Sequence, residues 1–373
     1  MKKCRYIELF AGVGGFHVGL DRSDKDFYKC VMANQWEPGT KDQFAAEIYK
    51  KRFPDDLLIN DDICKVSGKD LEADLMVGGF CCQDYSVANN KSRALGIEGK
   101  KGVLWWEIIR LISEMNSKPK YLLFENVDRM IISPSRQRGR DFALILQSLV
   151  NLGYNIEWRV INAAEYGFPQ KRKRIFLFAF LAGEFEVKSP DSWLYKEGIL
   201  AKAFPVKEDT EFGLWGLDRR KLNSDLVHIS DHFNENNIID HPFENAGVVI
   251  DGYISTIKVK TDYSGPYMTL GDILAYGDDR KFITEDFYLS DDEVEKWETK
   301  IKDSLLRKDS TLGGVLDTMK NDMALSFNVN GKLYSLSSFG ISTLGYFNSP
   351  ENETGVLHID GNKDDTYTSA NTD

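Results

Sequence analysis

The chain has 373 residues, a formal net charge of −11 and five cysteines. Two domains are expected at this length, and a hydrophobic content of 42% with 28% charged residues is typical of a soluble globular protein. No segment approaches the roughly 18 uninterrupted apolar residues that a membrane span needs, so the composition argues against a helical membrane protein.

The charge is unevenly distributed along the chain. Residues 1–180 contain 28 Lys and Arg and 23 Asp and Glu, a net charge of +5, whereas the remainder contains 19 and 35, a net charge of −16. Phosphate binding requires local basic density rather than a basic protein as a whole. The first half is therefore compatible with nucleic-acid binding, and the acidic second half argues against it.

The cysteines indicate a reducing compartment. All five lie in the first quarter of the chain, with no CxxC pair and no zinc-type Cys/His spacing. The N-terminal residues Met1–Arg5 lead into a strand-like segment rather than a cleavable signal sequence. We therefore predict a reduced cytoplasmic protein without a metal site.

Short apolar runs alternate with amphipathic stretches over residues 5–180. This alternation predicts an α/β domain in which a doubly wound, mostly parallel sheet is covered by helices on both faces. The predicted strands are Tyr6–Phe10, Lys29–Ala33, Leu57–Asn60, Asp74–Val77, Tyr121–Phe124, Asn155–Ile161 and Arg174–Ala179. The predicted helices are Phe16–Asp21, Lys41–Arg52, Leu104–Ser113 and Phe142–Leu152.

The alternation ends after about residue 185. From there the chain is acidic and rich in Asn, Asp and Gly, with short strands and a charged helix near Asp291–Leu306. We place a domain boundary at this point. Residues 1–184 then form the first domain, and residues 185–373 form a second, smaller α+β domain.

A glycine-rich turn follows the first predicted strand. Between Glu8 and Phe16 the order Glu-Leu-Phe-Ala-Gly-Val-Gly-Gly-Phe leads from a strand through glycines into a helix. Such glycines let backbone N–H groups approach a ligand closely, and a helix N-terminus favours a carboxylate or phosphate. A glycine-rich turn is about as often only a turn, so this pattern alone does not establish a site.

Polar and aromatic residues follow the next two predicted strands. Gln35 and Trp36 come after the second strand, and Asp62 and Ile63 come after the third. Ligands of open α/β sheets bind beyond the carboxyl ends of the strands, so a ring and a carboxylate placed there can flank an adenine. For Trp36 alone, packing in the core is an equally good interpretation.

A thiol follows the fourth predicted strand. Two glycines and Phe80 lead to Cys81 and Cys82, which places Cys82 on a tight turn. A free cysteine is more often a small buried hydrophobe than a nucleophile. Its place at a strand end, its polar neighbours and the basic segment Ser86–Gly102 favour a nucleophile beneath a mobile lid, although an ordinary solvated loop has the same composition.

Polar motifs also lie at the last two of these strands. Glu125 and Asn126 follow the fifth strand, where a turn with a helix cap is the plainer interpretation. Gln170, Arg172 and Arg174 alternate at the entry to the last strand, and strand alternation would send them to one face. A charged strand entry is the ordinary interpretation, and a shared anionic or carbonyl target is the functional one.

Taken in order, these segments resemble the DNA cytosine C5-methyltransferases of the bacterial or phage restriction–modification type. The glycine turn, the Cys-Gln segment, Glu-Asn-Val and Gln-x-Arg-x-Arg occur in the family order, and the ordered set is much more specific than any of its parts. The resemblance implies S-adenosylmethionine as cofactor and double-stranded DNA as substrate. It also implies a catalytic and cofactor-binding domain over residues 1–184. Residues 185–373 become a target-recognition-like domain, incomplete at its C-terminus.

The resemblance assigns a role to each matching residue. It makes Cys82 the nucleophile, Glu125 the acid at the ring, and Arg172 and Arg174 the supporting cations. The implied cofactor contacts are Phe10, Gly12, Gly14, Gln35, Trp36, Asp62, Ile63 and Leu104. The implied DNA contacts are Gln83, Ser86, Lys91, Arg93 and Asn126.

These residue types suit methylation of a pyrimidine. Carbon 5 of cytosine is too weak a nucleophile to take a methyl group unaided, and addition of the Cys82 thiolate at carbon 6 makes it electron-rich. Glu125 would stabilise the charge that develops at ring N3. A free thiol has a pKa of about 8.5, so Arg174 and nearby backbone dipoles must favour the thiolate. The base must also be flipped out of the duplex.

Three features depart from the family pattern. Cys81 stands where the family has proline, whose fixed φ would hold the turn that aims Cys82. Gln35 stands where the family has a ribose-binding acid, and Glu37 is a candidate substitute. The family's C-terminal motifs have no convincing counterpart, so a truncated chain, a decayed copy and one half of a split enzyme all remain open.

These departures keep a second function open. The alternative is a non-catalytic or half-enzyme subunit that binds DNA or a partner chain, with a second polypeptide supplying the missing motifs. An RNA-methylating relative fits less well, because the long variable region after residue 185 suits a domain that reads DNA sequence.

Overall fold

A computed structural model describes residues 3–80, 104–209, 220–273 and 289–306 and the strands at 325–329, 332–337 and 340–346. The chain divides into two compact units. We call them the large unit, Met1–Asn162 with Lys173–Ser264, and the small unit, Ala163–Arg172 with Gly265–Asp373. The functional boundary predicted at residue 184 does not coincide with this geometric division, and it stays a prediction.

A twisted sheet forms the centre of the large unit. Its strand order is β3-β2-β1-β4-β5-β7-β6-β10-β11-β9. The strands are β1 Cys4–Leu9, β2 Tyr28–Asn34, β3 Leu58–Ile59, β4 Leu75–Gly79, β5 Tyr121–Val127, β6 Tyr154–Asn162, β7 Lys173–Leu181, β9 Arg220–Lys221, β10 Ala246–Ile250 and β11 Tyr253–Ile257. Strands β8, Val206–Glu208, and β12, Val259–Thr261, form a separate antiparallel pair.

Helices cover both faces of this sheet. The longer ones are α1 Gly15–Asp24, α2 Phe44–Arg52, α3 Leu104–Glu114 and α4 Arg140–Asn151, and they are followed by α5 Pro190–Ser192, α6 Ile199–Ala203 and α7 Leu226–His232. The seven strands and four helices predicted for residues 5–180 are all present, with ends displaced by a few residues at most. The predicted doubly wound fold is confirmed.

Strand direction sets the geometry of the site. Strands β1 to β5 pair in parallel, whereas β7 pairs antiparallel with both β5 and β6. The carboxyl ends of β1 to β5 therefore lie at one edge of the sheet, which we call the carboxyl edge. Because β7 runs the opposite way, its first residues lie at that edge too.

Alternation along the strands places apolar side chains on both faces. Ile7 and Leu9 of β1 pack into a core that includes helices α3 and α4, whereas Tyr6 packs on the other face against residues of α1. The two helices of the first face are joined inside the core, where the Trp105 indole donates a hydrogen bond of 2.9 Å to the Ser148 hydroxyl.

The sheet continues beyond residue 184, which periodicity did not predict. Strand β10 pairs antiparallel with β6, and β11 and β9 follow at the edge. At the junction of β6 and β10, Gly247 lies opposite Trp158, and a Cβ at Gly247 would overlap the buried indole ring. Glycine at this position therefore lets a large aromatic side chain fill the junction.

Two buried charged residues attach the segment after β7 to β6. The Arg159 guanidinium donates hydrogen bonds to the carbonyl oxygens of Leu194 and Phe204, and Glu157 accepts one from the Trp193 indole. Burial raises the pKa of the Glu157 carboxyl, and the nearby Arg159 opposes that rise. Glu157 also accepts a hydrogen bond from the Leu200 N–H, so the pair satisfies backbone groups at both ends of α6, which would be costly to bury alone.

The small unit has a different architecture. It contains a 3₁₀ turn at Ala163–Tyr166, the helices α8 Leu270–Ile273 and α9 Asp291–Leu306, and an antiparallel sheet of β13 Leu325–Val329, β14 Lys332–Ser337 and β15 Gly340–Tyr346. The charged helix predicted near Asp291–Leu306 is confirmed. Across the described parts of both units, no helix is long and apolar enough to cross a bilayer.

We predict that Gly247→Ala lowers the free energy of unfolding of the large unit by about 1–3 kcal/mol or more, because the added methyl group overlaps the Trp158 ring. The matched control is Gly19→Ala in α1, where an added Cβ meets nothing within 4 Å and a better helix former is gained. Urea unfolding followed by tryptophan fluorescence compares them. Equal unfolding midpoints for the two variants would show that the junction is not tightly packed.

Candidate active site at the carboxyl edge of the sheet

The turn after β1 adopts a backbone that favours glycine. Phe10, Gly12 and Gly14 have φ values of 54°, 57° and 87°, and α1 starts at Gly15. At Gly14 a side chain would also collide with the Phe53 ring, whereas a Cβ at Gly12 would meet nothing within 4 Å. Gly12 therefore borders open space that a ligand can enter.

Amide side chains connect this turn to the loops after β2 and β3. The Gly12 N–H donates a 2.8 Å hydrogen bond to Oε1 of Gln35, which is only 8% exposed. The Asn60 side chain donates to the Gln35 carbonyl oxygen, and the Asn34 side chain donates to the Ile59 and Asp61 carbonyl oxygens. Three loops at the carboxyl edge are thus held together by neutral groups.

The other predicted cofactor contacts have different environments. Trp36 is 38% exposed, so its ring is available at the surface. One carboxylate oxygen of Asp62 accepts from the Cys64 N–H and caps a short 3₁₀ helix. Ile63 is 2% exposed and lies in the core, and Leu104, the first residue of α3, is partly buried against it. Their contacts with a cofactor stay predictions.

Glu8, the last but one residue of β1, has a role that sequence reasoning missed. Its carboxyl is fully buried, and Oε1 accepts hydrogen bonds from the Phe16 and His17 N–H groups at the start of α1. Burial raises the pKa of Glu8 to about 7, although these hydrogen bonds lower it. Two amides at the N-terminus of α1 are therefore used by Glu8 rather than left for a ligand.

The Tyr49 hydroxyl connects Glu8 to a buried polar cluster. It lies 3.4 Å from Oε2 of Glu8, 3.0 Å from the Asp56 carboxylate, 3.1 Å from Nδ1 of His17 and 3.7 Å from Sγ of Cys30. Burial raises the pKa of the Cys30 thiol to about 12. Burial lowers the pKa of His17, whereas the nearby carboxylates of Asp56 and Asp21 raise it.

Three of these side chains are of types that bind metal ions. The donor atoms of His17, Cys30 and Asp56 lie within 4.8 Å of one another. All three are hydrogen-bonded to the Tyr49 hydroxyl. The hydrogen-bonded network explains their proximity without an ion, since buried polar groups require partners.

The predicted acid lies at the carboxyl edge beside the end of β4. Glu125 of β5 is opposite Gly79 of β4, and a Cβ at Gly79 would come within 3.1 Å of the Glu125 carboxylate. Gly78 is required for packing as well, since a Cβ there would lie 2.6 Å from the Leu9 carbonyl oxygen. Two glycines thus let β4 fit closely between β1 and β5.

Arg174 holds the Glu125 carboxylate. Its Nε atom lies 2.7 Å from Oε1 of Glu125, and both side chains are about a quarter exposed, at 22% and 26%. The neighbouring Asn126 donates a 2.8 Å hydrogen bond to the carbonyl oxygen of Phe80. These contacts join the ends of β4, β5 and β7.

The predicted nucleophile and lid lie outside the described residues. These positions are Cys82, Gln83, Ser86, Lys91 and Arg93. Phe80, two residues before Cys82, is 3% exposed and packs against Trp105 with ring centroids 5.1 Å apart. Packing of Phe80 therefore holds the backbone in place just before the cysteine segment.

One prediction about the basic motif is wrong. Strand β7 begins at Lys173, so Gln170 and Arg172 precede it and do not share a strand face with Arg174. Arg172 is exposed and belongs to the small unit, whereas Arg174 belongs to the large unit with Glu125. Strand alternation had been applied as far back as Gln170, three residues before the strand begins.

Comparison with known proteins identifies the family. The profile described as C-5 cytosine-specific DNA methylase matches residues 4–321. The Type II methyltransferase M.Sau3AI of Staphylococcus aureus is 44% identical over 305 residues, covering 80% of this chain and 70% of that protein. The chain belongs to the C-5 cytosine-specific DNA methylase family. The resemblance inferred from the ordered motifs is confirmed.

Two further Type II methyltransferases match over shorter lengths. M.NlaIV of Neisseria lactamica is 33% identical, covering 48% of this chain and 41% of that protein, and M.HhaI of Haemophilus parahaemolyticus is 33% identical, covering 47% and 49%. The chain thus spans about half or less of the length of these two relatives. The crystal structure of Schizosaccharomyces pombe Dnmt2 methyltransferase matches 50% of this chain and 52% of that one, with 23% identity and a TM-score of 0.38.

We predict that Glu8 makes the protein less stable as the pH rises. Its pKa is 4.5 in a free side chain and about 7 in the fold, so the folded state binds the proton more tightly. The stabilisation is complete below about pH 4.5 and is lost as the pH passes through 7. Glu8→Gln removes this titration. The free energy of unfolding of the variant, relative to that of wild type, should therefore rise by at most about 3 kcal/mol from pH 5 to pH 8.

Urea unfolding at several pH values measures this difference, and Glu47→Gln, at an exposed position of α2, is the control. Parallel stability curves for Glu8→Gln and wild type over that range would contradict the prediction.

Proposed function

We propose that this chain transfers a methyl group from S-adenosylmethionine to carbon 5 of a flipped-out cytosine in double-stranded DNA, through a covalent adduct with Cys82. Membership of the family supports the reaction class. The observation that carries the assignment is the Glu125–Arg174 ion pair beside Gly79, because it lies where β4 leads to the predicted nucleophile.

The residues of the turn after β1 fit the cofactor. Open space borders Gly12, an exposed indole follows β2, and neutral amides hold the surrounding loops. S-adenosylmethionine would supply an electrophilic methyl group on a sulfonium. Since Glu8 occupies two amides at the start of α1, the cofactor carboxylate would use other N–H groups of the turn.

Gln35 has a specific part in this arrangement. Its Oε1 accepts from Gly12, so its amide nitrogen is the group left to donate to a ribose hydroxyl. A carboxylate at this position would accept from ribose instead. Gln35 thus positions the glycine turn and would contact the cofactor as a donor.

The proposed reaction begins when the Cys82 thiolate forms a bond to carbon 6 of the cytosine. Glu125 stabilises the charge at ring N3 by donating or sharing a proton there. Carbon 5 would then take the methyl group, and the bond between that methyl group and the sulfonium sulfur would break. A base removes the carbon 5 proton, the bond from sulfur to carbon 6 breaks, and the thiolate leaves.

Arg174 is a positioning residue in this scheme. It holds Oε1 of Glu125, while the same carboxylate borders the space above Gly79. A charge-assisted hydrogen bond of this length restricts the carboxylate to one orientation. Arg172 would act as a second supporting cation.

The remaining functional assignments are also proposals. Residues 1–184 would carry catalysis and cofactor binding, residues 185–373 would carry target recognition, and the protein would work on DNA in the cytoplasm. None of the comparisons supports a second polypeptide. The alternative is a non-catalytic DNA-binding subunit, which a methyl-transfer assay distinguishes from the enzyme.

We predict that Cys82→Ser lowers methyl transfer by roughly a thousandfold or more, because the hydroxyl cannot replace the thiolate as nucleophile. The matched control is Cys64→Ser, at an exposed thiol that should leave the rate unchanged. The measurement is incorporation of label from methyl-labelled S-adenosylmethionine into duplex DNA and, in parallel, into tRNA.

Transfer that survives in Cys82→Ser would exclude the covalent assignment. A wild-type protein that binds duplex DNA and methylates neither substrate would favour the non-catalytic subunit.

A further inference from the structure

An arginine-bearing turn lies at the same edge of the sheet as Glu125. Strand β5 ends at Val127, a 3₁₀ helix occupies Asp128–Ile132, and the turn Ser133–Gly139 leads into α4. We call Ser133–Gly139 the arginine turn. Since α4 leads back toward the start of β6, which is parallel to β5, its N-terminus and the turn lie on the carboxyl side of the sheet.

A distant segment holds this turn from outside. Asn237 accepts a hydrogen bond of 2.8 Å from the Arg138 N–H and donates one of 2.9 Å to the Ser135 carbonyl oxygen. Asn234 donates to the Arg138 carbonyl oxygen over 3.0 Å. We call Asn234–Ile239 the asparagine clamp. It fixes backbone groups that would otherwise let the turn move.

The clamp is built for these hydrogen bonds rather than for apolar packing. Asn234 and Asn237 have φ values of 50° and 52°, a conformation that asparagine tolerates better than most residues. The two isoleucines that end the clamp stay largely outside, with Ile238 84% and Ile239 44% exposed. Burial of side chains therefore does not explain the conformation.

The inner side of the turn is also fixed. Gly139 has a φ of 83°, and a Cβ there would lie 2.5 Å from Pro242 and 3.1 Å from Phe243. The Ser133 hydroxyl donates a 2.8 Å hydrogen bond to Asp141 at the start of α4. The turn is thus held by packing on one side and by the clamp on the other.

The charges of the turn are compensated unequally. Arg138 pairs with Asp240 at 3.0 Å, and the adjacent Arg140 pairs with Asp141 at 2.9 Å. Arg136 is exposed, and among the described residues no carboxylate pairs with it. A rigid turn therefore presents one uncompensated guanidinium at the edge where the substrate would lie.

We propose that Arg136 binds a phosphate of duplex DNA beside the target cytosine, and that the asparagine clamp holds the turn for this contact. The inference rests on the proposed function, which places duplex DNA at the carboxyl edge. A guanidinium suits a phosphate because its donors match the phosphate oxygens. Contacts of this kind fix the position of a protein on DNA and carry no sequence information.

The test is the salt dependence of duplex DNA binding. Each neutralised phosphate contributes about 0.9 to the slope of log affinity against log salt concentration. Arg136→Gln should reduce the magnitude of the slope by about one and weaken binding equally for duplexes of different sequence. The control is Arg22→Gln, which removes an exposed arginine from the last turn of α1 and should not change the slope.

A second variant tests the clamp without a change of charge. Asn237→Gly permits the same positive φ but removes both side-chain hydrogen bonds to the turn. It should weaken duplex binding and raise the KM for DNA while leaving kcat at saturating DNA close to wild type.

The outcomes separate the two proposals. A wild-type protein that binds no duplex DNA would overturn the proposed function together with this contact. A wild-type protein that binds and methylates duplex DNA, with an unchanged slope for Arg136→Gln, would overturn the contact alone.

Discussion

The hydrogen-bonded ion pair between Glu125 and Arg174 is the interaction on which the account of this site depends. It exists because β7 runs antiparallel to β5, so that a residue at the start of one strand lies beside the end of the other. A fully parallel sheet would place the first residues of β7 at the opposite edge. The fold thus brings a cation to an acid that sits at the carboxyl edge.

The packing around this pair depends on glycine. Gly78 and Gly79 let β4 approach β1 and β5 closely enough for the Glu125 carboxylate to lie over the end of β4. On the other side of β4, the glycine turn after β1 depends on a buried acid, Glu8, and on neutral amides from the next two loops. Polar groups that are buried in this way must be paired, which makes the arrangement rigid.

Much of this could be predicted from the sequence. The strands from Tyr6 to Ala179 are short apolar runs bounded by glycine and polar residues, and such runs reveal a buried parallel sheet. The family was recognisable because four weak motifs occur in one order.

The rest could not be predicted because it depends on contacts between distant residues. Nothing near Glu8 indicates that Tyr49 will reach its carboxyl group, and one acid in an apolar strand gives little signal. The predicted strand began at Arg174, one residue from the observed start of β7, so the error lay in applying strand alternation to Gln170 and Arg172, which precede the strand. The pairing of β10 with β6 depends on a glycine, Gly247, opposite Trp158. This fit is visible only in the three-dimensional structure.

The most direct test of the central claim is the capture of the covalent adduct. Duplex DNA with 5-fluorocytosine at the target cannot lose a proton from carbon 5, so the bond between sulfur and carbon 6 should persist after methyl transfer. Tryptic digestion and mass spectrometry should place the modified base on the peptide Asp70–Lys91, with fragment ions that assign it to Cys82 rather than Cys81. An adduct on Cys81, or methyl transfer to ordinary cytosine DNA with no adduct on either thiol, would contradict the account.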